Sequence, residues 1–385
     1  MKPENKEKLF RTMDCICRWA VGLVFLFSSF VKGVDPMGTA YKIQEYMTAW
    51  SIGSLSFEWA VPFATFLSVA LVTLEFLIGI MLITNSFRKL TAWMLLLMMA
   101  FFTVTTLIDA ITNKVTDCGC FGDAVKLTNW QTFWKNIALL VPTLFIFHCR
   151  KMPKKKRTFE RDVTIMFFSV VVMVVFAVYN INNEPVIDFR PWKVGNQMIP
   201  NSDAEMQSFV VYRNVKSGDT IEFEAKYLVD SMNSNPNWDS EWEWIDSRVI
   251  DPREVAAPGF SIMDMFGDDK TFEIIGHGDP IIIVTSHDIL DINEKGWQAI
   301  QRVKSLGEEH AVPVVLLTAS LPEDVDSLLW KNHLETWEYF FSDDKAIETI
   351  MRSNPGFLLM QEGVVKGKFH YRNYRELQNL DFEQL

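Results

Sequence analysis

The sequence contains no cysteine beyond Cys149, although it runs to 385 residues. Its second half is therefore not a disulfide-stapled scaffold and has to rest on an ordinary hydrophobic core, which a segment of that length can bury. Basic residues are scarce there too. Residues 182–385 carry 18 Lys and Arg against 36 Asp and Glu, and acidity of this degree excludes nucleic acid, whose phosphates would be repelled. A small-x-small cleavage site is also missing before Asp35. The first apolar run, 19–31, thus reads as a retained membrane helix rather than a secretory leader.

What is abundant is apolar. Hydrophobic residues make up 49% of the chain, with 30 Phe, 18 Met and 13 Trp, a high share for a water-soluble protein. Beyond 19–31, further runs at 57–84, 90–111, 133–149 and 163–181 are each near the roughly 20 residues a helix needs to span about 30 Å of hydrocarbon. Five transmembrane helices are predicted. The run at 133–149 holds Pro142, so a kink is expected, or recruitment of Trp130 and Trp134 as interfacial anchors. Residues 35–56, with Tyr41, Tyr46 and Trp50, are expected to form an outer loop lying along the membrane interface.

Basic residues set the orientation. The N-terminal tail has Lys2, Lys6, Lys8, Arg11 and Arg18, the second connection has Arg88 and Lys89, and 150–161 adds seven, while the alternate connections carry few. By the positive-inside rule the N-terminus is cytoplasmic. The loop around residues 116–123 and everything after 181 then lie outside, giving an inner-membrane protein with a periplasmic C-terminal domain. Within the spans, Glu75 and Asp109 stand out: carboxylates are costly in lipid, which makes them candidate functional or cofactor-binding groups. Asp109 lies near the outer end of its helix, where reaching water is the plainer reading.

The exported half has two parts. Residues 182–257 read as a linker or small subdomain with strands at 209–213 and 220–226 and an amphipathic segment at 238–244. From 258 the pattern becomes regular. A strand at 280–286 precedes a helix at 292–310, a strand at 313–318 and a helix at 322–334. A short strand at 338–341, a helix at 345–352, a hairpin of 356–361 and 364–371, and a helix around 374–380 follow. Ile281-Ile282-Ile283-Val284 and Val314-Val315-Leu316-Leu317 are continuous apolar runs, as in strands covered on both faces. An α/β sandwich is predicted. The chain is thus organised as a tail (1–15), a four-helix membrane domain (16–150), a basic cytoplasmic loop (151–161), a fifth helix (162–181), the linker segment (182–257) and the α/β domain (258–385).

The candidate chemistry lies in Thr116-Asp117-Cys118-Gly119-Cys120-Phe121-Gly122-Asp123. Thiol–disulfide exchange needs one thiolate to attack and a second thiol to resolve the mixed disulfide, and Cys118 with Cys120 can supply both. Gly119 relieves part of the strain of so small a ring, and the strain that remains makes a disulfide there a better oxidant. Asp117 and Asp123 disfavour a neighbouring thiolate, whereas Lys114 and Lys126 favour one. A structural pair is the plainer alternative. A metal site is the weakest, since two thiolates are too few for zinc and the outer membrane loops hold no His; no metal is expected. Cys15, Cys17 and Cys149 fall on the reducing side and read as structural thiols.

Two resemblances bear on function. Arg18-Trp19-Ala20-Val21-Gly22-Leu23-Val24-Phe25, Phe30-Val31-Lys32-Gly33-Val34-Asp35-Pro36, Glu75 with Gly79, and Asp117 to Asp123 resemble the DoxX/MauE family, the last pointing to its MauE branch. MauE-type proteins are implicated in disulfide formation in an exported amine dehydrogenase, and DoxX-type proteins in quinol oxidation and redox homeostasis. The element order after 258, with Asn354-Pro355 just before the hairpin, resembles the thioredoxin fold. The place of that family's redox pair reads Ser286-His287-Asp288-Ile289, with no cysteine, so Ser286, His287, Asp288 and Pro355 are expected to form a binding surface. In plan alone, the chain resembles quinone-linked vitamin K epoxide reductase homologues. The expected protein is an α-helical membrane bundle followed by an exported thioredoxin-like α/β domain. It exchanges disulfides with an exported client through Cys118 and Cys120, with quinone near Glu75 as candidate electron acceptor. The alternatives are a non-catalytic scaffold that binds envelope proteins, and an accessory subunit of a quinol-oxidising complex.

Overall fold

The computed structural model describes residues 3–382 apart from 50, 53–54, 114, 116–118, 126, 153–157, 200–206, 236, 251–255 and 258. It divides into two compact units, Met1–Arg190 and Pro191–Leu385.

The first unit is helical: α1 Pro3–Val34, α2 Pro36–Ala49, α3 Ala64–Thr84, α4 Arg88–Thr112, α5 Asn129–His148 and α6 Phe159–Asn182. Local chemistry sets the boundaries. No proline interrupts the chain between Pro3 and Pro36, so α1 begins well before its apolar run. Asp35 then closes it and starts α2, its carboxylate accepting from the Gly38 amide at 2.9 Å, with Pro36 pre-set for the first helical turn. Helices α3 and α4 end on the left-handed residues Asn85 and Asn113. Thr128 and Gln131 form a capping box that starts α5 at Asn129, four residues before the predicted run.

All but α2 belong to five spans that are long and apolar enough to cross a membrane among the described residues, as expected. Phe66, Phe101, Trp134, Val141 and Phe167 are all exposed on these helices. Large apolar groups turned outward suit a hydrocarbon solvent rather than water. One expectation needs correcting: residues 36–49 are not a loop but a helix packed on α3, with the Ser68 hydroxyl donating to the Pro36 carbonyl at 2.7 Å.

Helices α1 and α3 come close together where Gly22 faces Gly79. A Cβ on Gly22 would lie 3.2 Å from the Gly79 carbonyl oxygen, and one on Gly79 3.1 Å from that of Gly22. In lipid, where apolar burial drives helix association weakly, such small-residue crossings supply the packing. At one end of the bundle, buried Asp14 accepts from Arg18 at 3.0 Å and pairs with Arg88 at 2.7 Å, tying α1 to α4.

Among the described residues, the second unit contains two sheets. In the smaller, β1 (Gln207–Asn214) is flanked by β2 (Thr220–Glu224) and β3 (Trp242–Ile250), all antiparallel. Strand β3 is a second correction, since 238–244 was expected as an amphipathic segment. Its acidic residues hide the alternation, and only cross-strand partners such as Tyr212 opposite Trp244 reveal it. The larger sheet is built from β4 (Ile281–Ser286), β5 (Val314–Thr318), β6 (Tyr339–Phe341), β7 (Gly356–Gln361) and β8 (Val364–His370). Its order is β8-β7-β4-β5-β6, with β4, β5 and β6 parallel, β7 antiparallel to β4, and β8 antiparallel to β7. Helix α7 (Glu294–His310) follows β4, α8 (Pro322–Lys331) follows β5, α9 (Asp344–Ile350) follows β6, and α10 (Tyr374–Gln378) closes the chain's described part.

Two cores cover the two faces of this sheet. Ile281 and Ile283 join Ile347 and Ile350 of α9 in one, together with Trp192, Met198 and Ile199. Ile282 and Val284 join Trp297, Ile300 and Val303 of α7 and Leu329 of α8 in the other. Successive residues of a strand point to opposite faces, and here both faces are dry, which is why the strands read as unbroken apolar runs. The α/β class is as predicted.

Candidate functional site

The membrane bundle buries an ion pair. Lys32, near the end of α1, donates to Glu75 Oε1 of α3 at 2.6 Å, and both side chains are almost wholly buried. The Lys32 ammonium also sits 5.4 Å from the centre of the Phe102 ring, a cation–π contact strengthened by the dry surroundings. The second Glu75 oxygen, Oε2, faces Ser28 Oγ at 3.0 Å, and the same hydroxyl lies 2.8 Å from the Cys120 carbonyl oxygen. One hydroxyl proton thus serves two acceptors, and Ser28 fastens the cysteine loop to the ion pair.

A cavity of about 30 Å³ opens beside this group, lined by Ser28, Glu75, Cys120, Phe121, Lys135 and Asn136 together with apolar residues of α1, α4 and α5. Of these, Lys135 holds its ammonium 4.4 Å from the centre of the Phe121 ring. Asn136 is held by the Thr106 hydroxyl at 3.1 Å. This space suits a water molecule. A cavity that takes a benzene ring is about 150 Å³, so the quinone expected near Glu75 does not fit inside it.

The two carboxylates singled out from the sequence are not brought together. Asp109 is buried on α4 but does not line the cavity; Tyr46 of α2 donates to its Oδ2 at 2.6 Å. This hydrogen bond ties α2 to α4. Cys120 is described next to the cavity, whereas Cys118 and Asp117 lie outside the described residues. Cys15 and Cys17 are free thiols on α1, and Cys149 is a buried free thiol just beyond α5.

In the second unit, Ser286 ends β4 and its hydroxyl donates to Asn354 Oδ1 at 2.7 Å, while Asn354 Nδ2 donates to the Asp288 carbonyl at 2.5 Å. The Asn354–Pro355 bond is cis. Pro355 packs on the first turn of α7, where a Cβ on Gly296 would lie 2.7 Å from Pro355 Cδ. The four predicted residues Ser286, His287, Asp288 and Pro355 are thus neighbours. Asp344 and Glu348 of α9 come to His287 as well, with one donor atom of each within 4.8 Å of the others. Burial pushes the His287 imidazole below its ordinary pKa, against the pull of Asp344, Asp288 and Asp291. Burial, and then the Asp344 charge, push Glu348 up to about 7. Asp344 is raised as well, again chiefly by burial.

Sequence reasoning missed Lys32 and Ser28 as partners of Glu75, and Asp344 and Glu348 as partners of His287. The signals were present but local. Ser28 and Lys32 are four apart, so they share one face of α1, and Asp344 and Glu348 share the same spacing on α9.

Comparison of the chain with curated proteins and with solved structures found no match. Comparison with family models found a match that runs from within α1 to the end of α5. Residues 11–148 match the model described as Methylamine utilisation protein MauE, so over this stretch the membrane-spanning bundle is similar to that family.

Proposed function

We propose that the protein is an inner-membrane thiol–disulfide exchange protein, in which Cys118 and Cys120 oxidise an exported client. A client thiolate attacks the Cys118–Cys120 disulfide, one loop sulfur leaves as a thiolate, and the client's second thiol displaces the other. The client gains a disulfide and the loop becomes a dithiol. Two electrons and two protons then pass to a lipid-phase acceptor of quinone type, docked outside the small Glu75 cavity. The observation that carries this reading is the Ser28 hydroxyl between the Cys120 carbonyl and the Lys32–Glu75 pair. A buried ion pair costs several kcal/mol in desolvation, and here it underpins the residue that grips the cysteine loop. The MauE match supports the same reading.

The basic-residue count supports an N-terminus in the cytoplasm and a C-terminal domain in the periplasm. Sheet order and the position of Pro355 beside Ser286 support a thioredoxin-like ancestry for residues 258–380. With no cysteine at 286–289, that domain holds the client rather than oxidising it.

The test is differential alkylation of intact cells with a membrane-impermeant thiol reagent, with and without mild reductant. Labelling of Cys118 and Cys120 only after reduction, and a shift in their state when respiration is blocked, is the expected result. Full labelling without reductant that never changes leaves a non-catalytic scaffold for envelope proteins. That second reading is favoured by the exposed Met265 and Phe266, beside a concavity of about 300 Å³ lined also by Trp337 and Tyr339.

A further inference from the structure

We infer that His287, Asp344 and Glu348 form a binding site for one divalent first-row metal ion of the zinc or manganese class. The three donors come from two separate elements, one from the turn after β4 and two from successive turns of α9. One nitrogen and two carboxylate oxygens within 4.8 Å of one another form a three-ligand set. Metal bonds of about 2.0–2.2 Å place neighbouring donors about 3–4 Å apart, so small side-chain rotations close the site. A fourth position remains for water. Imidazole with carboxylates suits zinc and manganese, whereas copper(I) and iron–sulfur clusters call for thiolates, which this unit lacks.

The place in the fold points to a ligand independently of the donor set. β4 and β6 are parallel strands, and both elements of the site begin at their carboxyl ends, the edge where open α/β sheets bind ligands. The turn is also held in shape. Asn354 grips the residues on either side of His287, through the Ser286 hydroxyl and the Asp288 carbonyl, so the backbone that carries the imidazole is fixed beforehand. The rival is an ion-paired cluster without metal, in which Arg352 and Lys345 balance the carboxylates. Arg352 Nη1 does lie 2.9 Å from the Glu348 carbonyl oxygen, on the backbone side of α9.

The full-length protein in detergent, stripped with chelator and with its thiols alkylated, is titrated with zinc chloride and then manganese chloride by calorimetry. Bound metal is counted by mass spectrometry after dialysis. The expected result is one zinc per chain, weakened roughly 100-fold or more by His287→Ala and by the isosteric Glu348→Gln, and unchanged in Asp326→Asn on α8. Should His287→Ala fail to fold, Glu348→Gln alone decides. Arg352→Gln separates the rivals: it leaves or tightens zinc binding at a metal site, and loosens the fold without touching metal at an ion-paired cluster. No stoichiometric zinc in the wild type, or zinc uptake indifferent to both ligand variants, overturns the inference. Because thiols are blocked and the readout is metal content, the result is independent of whether Cys118 and Cys120 exchange disulfides.

Discussion

At the scale of single residues, the bundle turns on Lys32 and Ser28. Lys32 keeps Glu75 from being an uncompensated charge, so Lys32→Met should destabilise the bundle by about 3–5 kcal/mol, the usual cost of breaking a buried pair from one side. Lys32→Met with Glu75→Leu removes both charges and should recover most of that loss. Thermal unfolding in detergent measures both, and equal destabilisation by the single and double variants would show that the pair does not carry the site. Ser28→Ala is subtler. It leaves the Cys120 carbonyl without its hydroxyl donor at a cost of about 1–3 kcal/mol, and the loop loosens. In the reduced protein Cys120 should then react faster with an alkylating reagent, while the melting temperature falls by only a few degrees.

Pairs of helices decide whether those residues can meet at all. Lys32 and Glu75 are neighbours because α1 and α3 run close together, and they do so because Gly22 and Gly79 let backbone approach backbone. Gly79→Leu places side-chain atoms where the Gly22 carbonyl stands. Overpacking of this kind costs about 1–3 kcal/mol and should separate the helices, weakening the ion pair that lies further along them. A combined Gly79→Leu and Lys32→Met variant should therefore lose less than the sum of the two single losses. Full additivity would mean that the crossing and the pair are independent. Gly296→Val tests the corresponding contact in the other unit, because a Cβ there collides with Pro355; a lower melting temperature with an unchanged bundle is expected.

For the whole molecule, the arrangement along α1 carries a prediction about sidedness. Cys15 and Ser28 are 13 residues apart on one helix, or about 20 Å at 1.5 Å per residue. Cys120 is bonded to Ser28, so Cys15 and Cys120 stand toward opposite ends of the bundle. After mild reduction, an impermeant reagent should label one of them in intact cells and the other only after permeabilisation, with Cys120 outside if the basic residues set the orientation. Labelling of both from the same side would contradict a membrane-spanning α1.

Much of this protein was determined by its sequence alone. Five long apolar runs have few ways to satisfy their backbone except as spanning helices, and two unbroken Ile/Val/Leu strands have few except between two layers of helix and sheet. Gly22, Lys32, Glu75 and Gly79 were already visible among the residues on which the MauE resemblance rests, and the capping box can be read from Thr128 and Gln131, three positions apart. What only the tertiary structure decided is who meets whom. Lys32 has Glu75 as its partner only because α3 lies alongside α1, and Asp109 has Tyr46 only because α2 reaches α4. Strand β3 and the pairing of His287 with α9 were hidden for the same reason. Periodicity reports which face of an element is buried, whereas charges in a low-dielectric interior are stabilised by partners that arrive from other elements, and no local pattern names those partners.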